Sequence, residues 1–137
     1  MASAVASTEA AVLIWSAGLL VAQIFAQGLA LDLAGDLGMR YLLGPRDKGD
    51  ISTGVPAGRL KRALGNFLET YPAFIALVLA LTATGKTGGI AAPGAVLWLS
   101  ARAAYVVLYA AGIPVLRTLV WVASMLGLSM MLLRLAA

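Results

Sequence analysis

The chain has 137 residues, 61% of them hydrophobic and only 12% charged, with a net charge of +4. Soluble domains carry about 25% charged residues, so this chain has too little polar surface to cover a globule in water, and the same apolar excess excludes disorder. It has neither cysteine nor histidine. That excludes disulfides, thiolate metal sites, cysteine nucleophiles, zinc hydrolase sites and Ser-His-Asp triads, and no metal is expected.

A membrane-spanning helix needs about 20 apolar residues, so four spans with their connections fill a single domain over residues 1–137. The first run, residues 10–31, carries no charge, and Gln23 and Gln27 share one helix face. The stretch from Met1 to Thr8 lacks the basic residues of a secretory signal, which predicts a retained transmembrane helix. Residues 32–56 are polar and punctuated by Gly44-Pro45, Gly49-Asp50 and Gly54-Val55-Pro56, which predicts a loop with turns. Loops of this length are usually functional or disordered. The second helix is expected over residues 57–83. Its first half carries Arg59, Lys61, Arg62, Asn66 and Glu69, and its second half is apolar. A glycine-rich turn at 85–89 leads to a third helix over residues 94–111, and Gly112 and Pro114 separate it from a fourth over residues 115–135. Arg117 and Arg134 bracket that last helix, about 26 Å apart at helical rise and so close to one hydrocarbon thickness. There is no convincing internal repeat.

Basic residues in short loops set orientation. Arg40, Arg46, Lys48, Arg59, Lys61, Arg62 and Arg117 fall on one side, and only Lys86 and Arg134 on the other. The expected arrangement is a cytoplasmic first loop with both termini outward. The excess of cations is thus read as topology, and no nucleic-acid partner is expected. Ala76 with Ala80, and Ala123 with Gly127, are small-residue pairs suited to close helix contacts. They fit packing within one chain as well as an oligomer seam.

Arg59, Arg62, Asn66 and Glu69 follow one another at steps of three, four and three, which is one helix face. On the third helix Arg102, Tyr105 and Tyr109 also share a face, and Arg117 opens the fourth helix at its positive end. A charge at mid-bilayer costs about 2.5–3.5 kcal/mol or more, so this stripe must face protein or water, and intramembrane ionisable groups are functional-site candidates. A purely structural lock of Glu69 with Arg62 or Arg102 is the plainer alternative, as is an anchoring role for the tyrosines. The excess of Arg59, Arg62, Arg102 and Arg117 over Glu69 favours an anionic ligand, with Glu69 left for an amine on it.

The segment Arg62-Ala63-Leu64-Gly65-Asn66-Phe67-Leu68-Glu69, followed by Pro72 and Phe74, resembles the R-A-x-x-N-x-x-E signature of the MAPEG family, the membrane-associated proteins in eicosanoid and glutathione metabolism. Arg102-x-x-Tyr105-x-x-x-Tyr109 and then Pro114-x-x-Arg117 resemble its second block, and the likeness spans Arg59 to about Met125. Arg46-Asp47 and the Asn-Phe-Leu-Glu-Thr run look most like bacterial members. The resemblance implies an all-α integral membrane four-helix bundle, assembled as a homotrimer in a bacterial inner membrane. It implies glutathione as co-substrate, bound between neighbouring subunits near the cytoplasmic face.

Carried over by motif, Arg62, Asn66 and Glu69 would hold glutathione's carboxylates and amine, with Arg102 in the same set. Tyr105 and Tyr109 would line the pocket from the adjacent subunit, Arg117 would stabilise the thiolate, and Arg40 or Arg46 would add a contact. The implied activity is conjugation of glutathione to lipophilic electrophiles, or reduction of lipid hydroperoxides with it. Two other readings stay open. One is a non-catalytic lipid-binding or scaffold protein of the same fold, because Thr70 stands where many glutathione-using members have an aromatic residue. The other is a small exporter with Glu69 as proton site, disfavoured because neighbouring arginines would depress that carboxylate's pKa.

Overall fold

The computed structural model describes residues 6–33 and 55–137. Four helices follow in order: α1 (Thr8–Leu33), α2 (Val55–Ala83), α3 (Ala91–Ala111) and α4 (Pro114–Ala136). Each is long and apolar enough to cross a membrane, and among the described residues there is no strand. The all-α four-helix fold expected from the sequence is the fold found.

The helices run slightly past their apolar segments, because backbone hydrogen bonding does not stop where hydropathy does. The Ser7 hydroxyl accepts from the Ala10 N–H at 3.1 Å at the start of α1, as an N-terminal cap does. Pro56 and Pro93 sit in the first turns of α2 and α3, where a missing N–H costs nothing. Residues 32–33 and 55–56, expected in the loop, are therefore helical. Residues 34–54, with Arg40 and Arg46, lie outside the described residues.

The core is an aromatic ridge on α2 packed against α3. Phe67, Tyr71, Phe74, Val78 and Leu81 are buried at helical spacing. The Trp98 ring stacks on Phe74 with centroids 3.9 Å apart and on Tyr71 at 6.0 Å, and such pairs add about 0.5–1.5 kcal/mol beyond their burial. α1 packs on α2 and α3 and, among the described residues, not on α4. Its large apolar side chains Ile14, Trp15, Phe25 and Leu29 are exposed, while Glu9, Ser16 and Gln23 are buried. That inversion suits a helix surrounded by lipid, where polar groups turn inward. The Ser16 and Tyr71 hydroxyls hydrogen bond at 3.0 Å, tying α1 to the ridge.

Two polar ends close the bundle. At one, the buried Glu9 Oε1 accepts from the Gly88 N–H at 2.6 Å. Lys86 Nζ donates to the Leu135 carbonyl at 2.8 Å, and Arg134 Nε donates to the Lys86 carbonyl at 3.1 Å. Both basic residues thus satisfy carbonyls at or just past helix C-termini, those of α4 and α2. At the other end α3 turns into α4 through Gly112, whose φ of 77° is left-handed and so suits glycine. The Gly112 and Ile113 N–H groups cap the Tyr109 and Leu108 carbonyls, each at 3.1 Å, and Pro114 starts α4.

Candidate functional site

The polar residues of α2 meet α3 and α4 at the Gly112 end. Arg59 Nη1 donates to the Ala110 carbonyl at 3.2 Å. A Cβ on Gly112 would fall 2.8 Å from that guanidinium, the movable end of a flexible side chain, so it is the left-handed backbone that asks for glycine here. Arg59 therefore places its charge on the negative end of α3 and serves the fold.

Three residues further along α2, Arg62 Nε donates to the Tyr109 hydroxyl at 3.1 Å, and its guanidinium carbon lies 5.9 Å from that ring's centroid. Arg117, from the first turn of α4, stands over the same ring at 4.4 Å. Tyr105, one turn from Tyr109 on α3, meets it ring to ring at 5.5 Å. One tyrosine thus orders guanidinium groups from two helices, and such contacts contribute about 0.5–2 kcal/mol depending on solvation.

Arg102 is placed differently. It is buried, and its Nη1 donates to Asn66 Oδ1 at 2.8 Å while Nη2 donates to the Asn66 carbonyl at 2.8 Å. Nη2 also donates to the Thr70 hydroxyl. The guanidinium lies 5.4 Å from the Tyr105 centroid and 5.9 Å from that of Phe67. It bridges α3 to α2 and fixes the Asn66 side chain. Thr70, the departure from the aromatic pattern, is the third acceptor of this clamp, and its spacing of four from Asn66 was the available signal. Replacing it by valine keeps the shape and removes the hydroxyl. We expect Thr70→Val to cost about 1.5–3 kcal/mol, the range for hydrogen bonds to charged groups. Unfolding in mixed micelles measures this, and unchanged stability would show that the Thr70 hydroxyl adds nothing to the clamp.

A cavity of about 230 Å³ opens beside these groups, lined by Asn66, Tyr105, Tyr109, Arg117, Thr118 and Trp121. Four of these were singled out from the sequence. Thr118 and Trp121 were not, although they lie at one and four residues from Arg117, the second on its own helix face. Arg62 reaches the site through Tyr109, Arg102 stands behind Asn66, and Glu69 is exposed on α2. Among the described residues no ion pair joins Glu69 to Arg62 or Arg102, so the structural lock considered from the sequence is absent there. The resemblance implied tyrosines from an adjacent subunit, whereas here Tyr105, Tyr109, Asn66 and Arg117 meet within one chain. Arg40 and Arg46 lie outside the described residues.

The arrangement offers a cation held by aromatic contact at the wall of a cavity, with amide, phenol and hydroxyl groups around it. It suits an anion or a group that becomes one. In comparisons with known proteins, the model of the MAPEG family matches residues 7–137, nearly the whole chain. No curated protein and no solved structure matches it.

Proposed function

On the premise that the chain belongs to the MAPEG family and is an integral membrane protein of four spans, we propose that it is a membrane-bound glutathione transferase or peroxidase. The observation that carries this reading is Arg117, lodged over Tyr109 at the wall of a cavity shared with Asn66 and Tyr105. The glutathione thiol gives its proton to solvent, and Arg117 stabilises the thiolate. In conjugation the sulfur forms a bond to the acceptor's carbon as the leaving group departs with its electron pair. In peroxide reduction two glutathione thiols become one disulfide while the hydroperoxide becomes an alcohol and water.

A cavity of about 230 Å³ is smaller than the roughly 300–1,000 Å³ of ordinary ligand pockets. It accommodates the reacting end of the thiol, and the remainder lies along the exposed side of α2, past Arg62 towards Glu69. A carboxylate facing lipid at that depth costs at least about 2.5–3.5 kcal/mol, so a neighbouring copy covers this face and completes the site. We take the assembly to be the homotrimer that the family resemblance implies. Its site end is cytoplasmic because the basic residues concentrate there, and its membrane is a bacterial inner membrane. Lipophilic acceptors arrive from the bilayer.

Calorimetric titration of detergent-purified protein with glutathione tests the reading. Saturable binding is expected, with a thiolate absorbance signal at neutral pH. It should weaken at least tenfold in the Arg62→Ala, Glu69→Ala double variant while assembly is retained. No binding at millimolar glutathione would overturn the proposal and favour the lipid-binding alternative on the same fold.

A further inference from the structure

The cavity has two unlike ends. α3 runs towards the Gly112 end and α4 runs away from it, so Tyr105 lies deeper in the bundle than Tyr109, and Trp121 deeper than Arg117. Each step is four residues, about 6 Å along the axis. The shallow end presents Arg117 and Tyr109, with Arg62 bonded behind the phenol. The deep end presents Tyr105 and Trp121 beside Asn66. The exposed apolar residues Leu119 and Val122 lie around α4 away from Trp121, so the indole shares the helix face of Arg117 and turns into the cavity. It is half-buried, and among the described residues it has no stacking partner such as Phe74 provides for Trp98.

We infer that Trp121 sets the size of the acceptor: it is the wall against which the acceptor's apolar part rests when its electrophilic atom is at Arg117. This rests on the transferase reading and adds the class of acceptor, an electrophile with a short apolar body. An indole one helical turn from the reacting atom admits a small body beside it and obstructs a long one. Discrimination by one methylene in an apolar pocket spans about 10–200-fold.

The test compares 2-alkenals of six and twelve carbons as acceptors in nanodiscs. In each, glutathione's sulfur bonds to C3 and C2 takes a proton from water. The unaltered protein is expected to favour the shorter acceptor in kcat/KM. Trp121→Ala should move the ratio at least tenfold towards the longer one, with the KM for glutathione unchanged, and Trp121→Phe should fall between. An unchanged ratio with turnover intact would overturn the inference and leave the transferase reading standing.

Should no variant turn over glutathione, the transferase reading falls, and contact is read directly. A saturated aldehyde brominated on its chain should quench tryptophan emission in a Trp15→Phe background, and Trp121→Phe should abolish the quenching. Quenching that survives Trp121→Phe would overturn the inference.

Discussion

Replacing Arg117 with alanine is expected to lower glutathione turnover at pH 7 by about 25-fold, with activity returning as the pH rises. A free thiol has a pKa of about 8.5. Bringing it to about 6.5 takes about 2.7 kcal/mol, and one cation at about 4 Å supplies about 4 kcal/mol at an effective dielectric of 20. Arg117 is thus sufficient by itself, and it stands in the first turn of α4, whose N-terminus adds to the effect. Without it the thiolate fraction at pH 7 falls from about three quarters to about 3% for that two-unit change. A cation favours the charged thiolate, so its loss raises the thiol pKa, and the acid limb of the pH–rate profile should move up by about two units. A simple fall in rate with no movement of that limb would show that Arg117 orients the substrate and does not stabilise the thiolate.

The largest structural effect is expected at Gly127. A Cβ there would fall 2.5 Å from the Gly94 carbonyl oxygen, 2.9 Å from the Trp98 backbone nitrogen and 3.1 Å from the Trp98 Cβ. Two of these neighbours are backbone atoms and cannot rotate away, so α3 and α4 must separate. Overpacking of this kind costs about 1–3 kcal/mol and sometimes more. Alanine regains up to about 1 kcal/mol of helix propensity, which leaves Gly127→Ala about 1–2 kcal/mol less stable. Gly127→Val brings two further carbons and a poorer helix former, and its loss should reach about 3 kcal/mol or more. The same seam holds Tyr109 against Arg117, so the valine variant should lose the cavity with the stability. Equal unfolding midpoints for the parent and Gly127→Ala in mixed micelles would show that the helices can part without cost. The contact also assigns Gly127, one of the small residues noted in the sequence, to packing within the chain.

Hydropathy alone fixed the number and kind of the spanning elements among the described residues. Four apolar runs of spanning length, parted by glycine and proline, permit little but four helices in a bilayer, because backbone groups in lipid must be satisfied within the helix. It also determined which residues to suspect. Arginine, asparagine and glutamate inside an apolar run are costly enough to stand out, and their spacing put Arg62, Asn66 and Glu69 on one face of α2 before any tertiary contact was known.

Which contacts each of them makes came from the packing of the helices against one another. Arg59, Arg62, Arg102 and Arg117 are alike in sequence, yet one caps α3, one binds Tyr109, one clamps Asn66 and Thr70, and one stands at the cavity. Trp121 and Trp15 are both aromatic residues in apolar runs, but one lines the cavity and the other is exposed on the outside of α1. In a water-soluble helix a hydrophobic stripe points to the core. In a membrane helix the lipid outside is as apolar as the packed interior, so periodicity carries almost no record of which way the helix is turned. That rotation comes from contacts between helices, here the Gly94–Gly127 approach, the Trp98–Phe74 stack and the Arg102 clamp, and it fixes which side chains share the site.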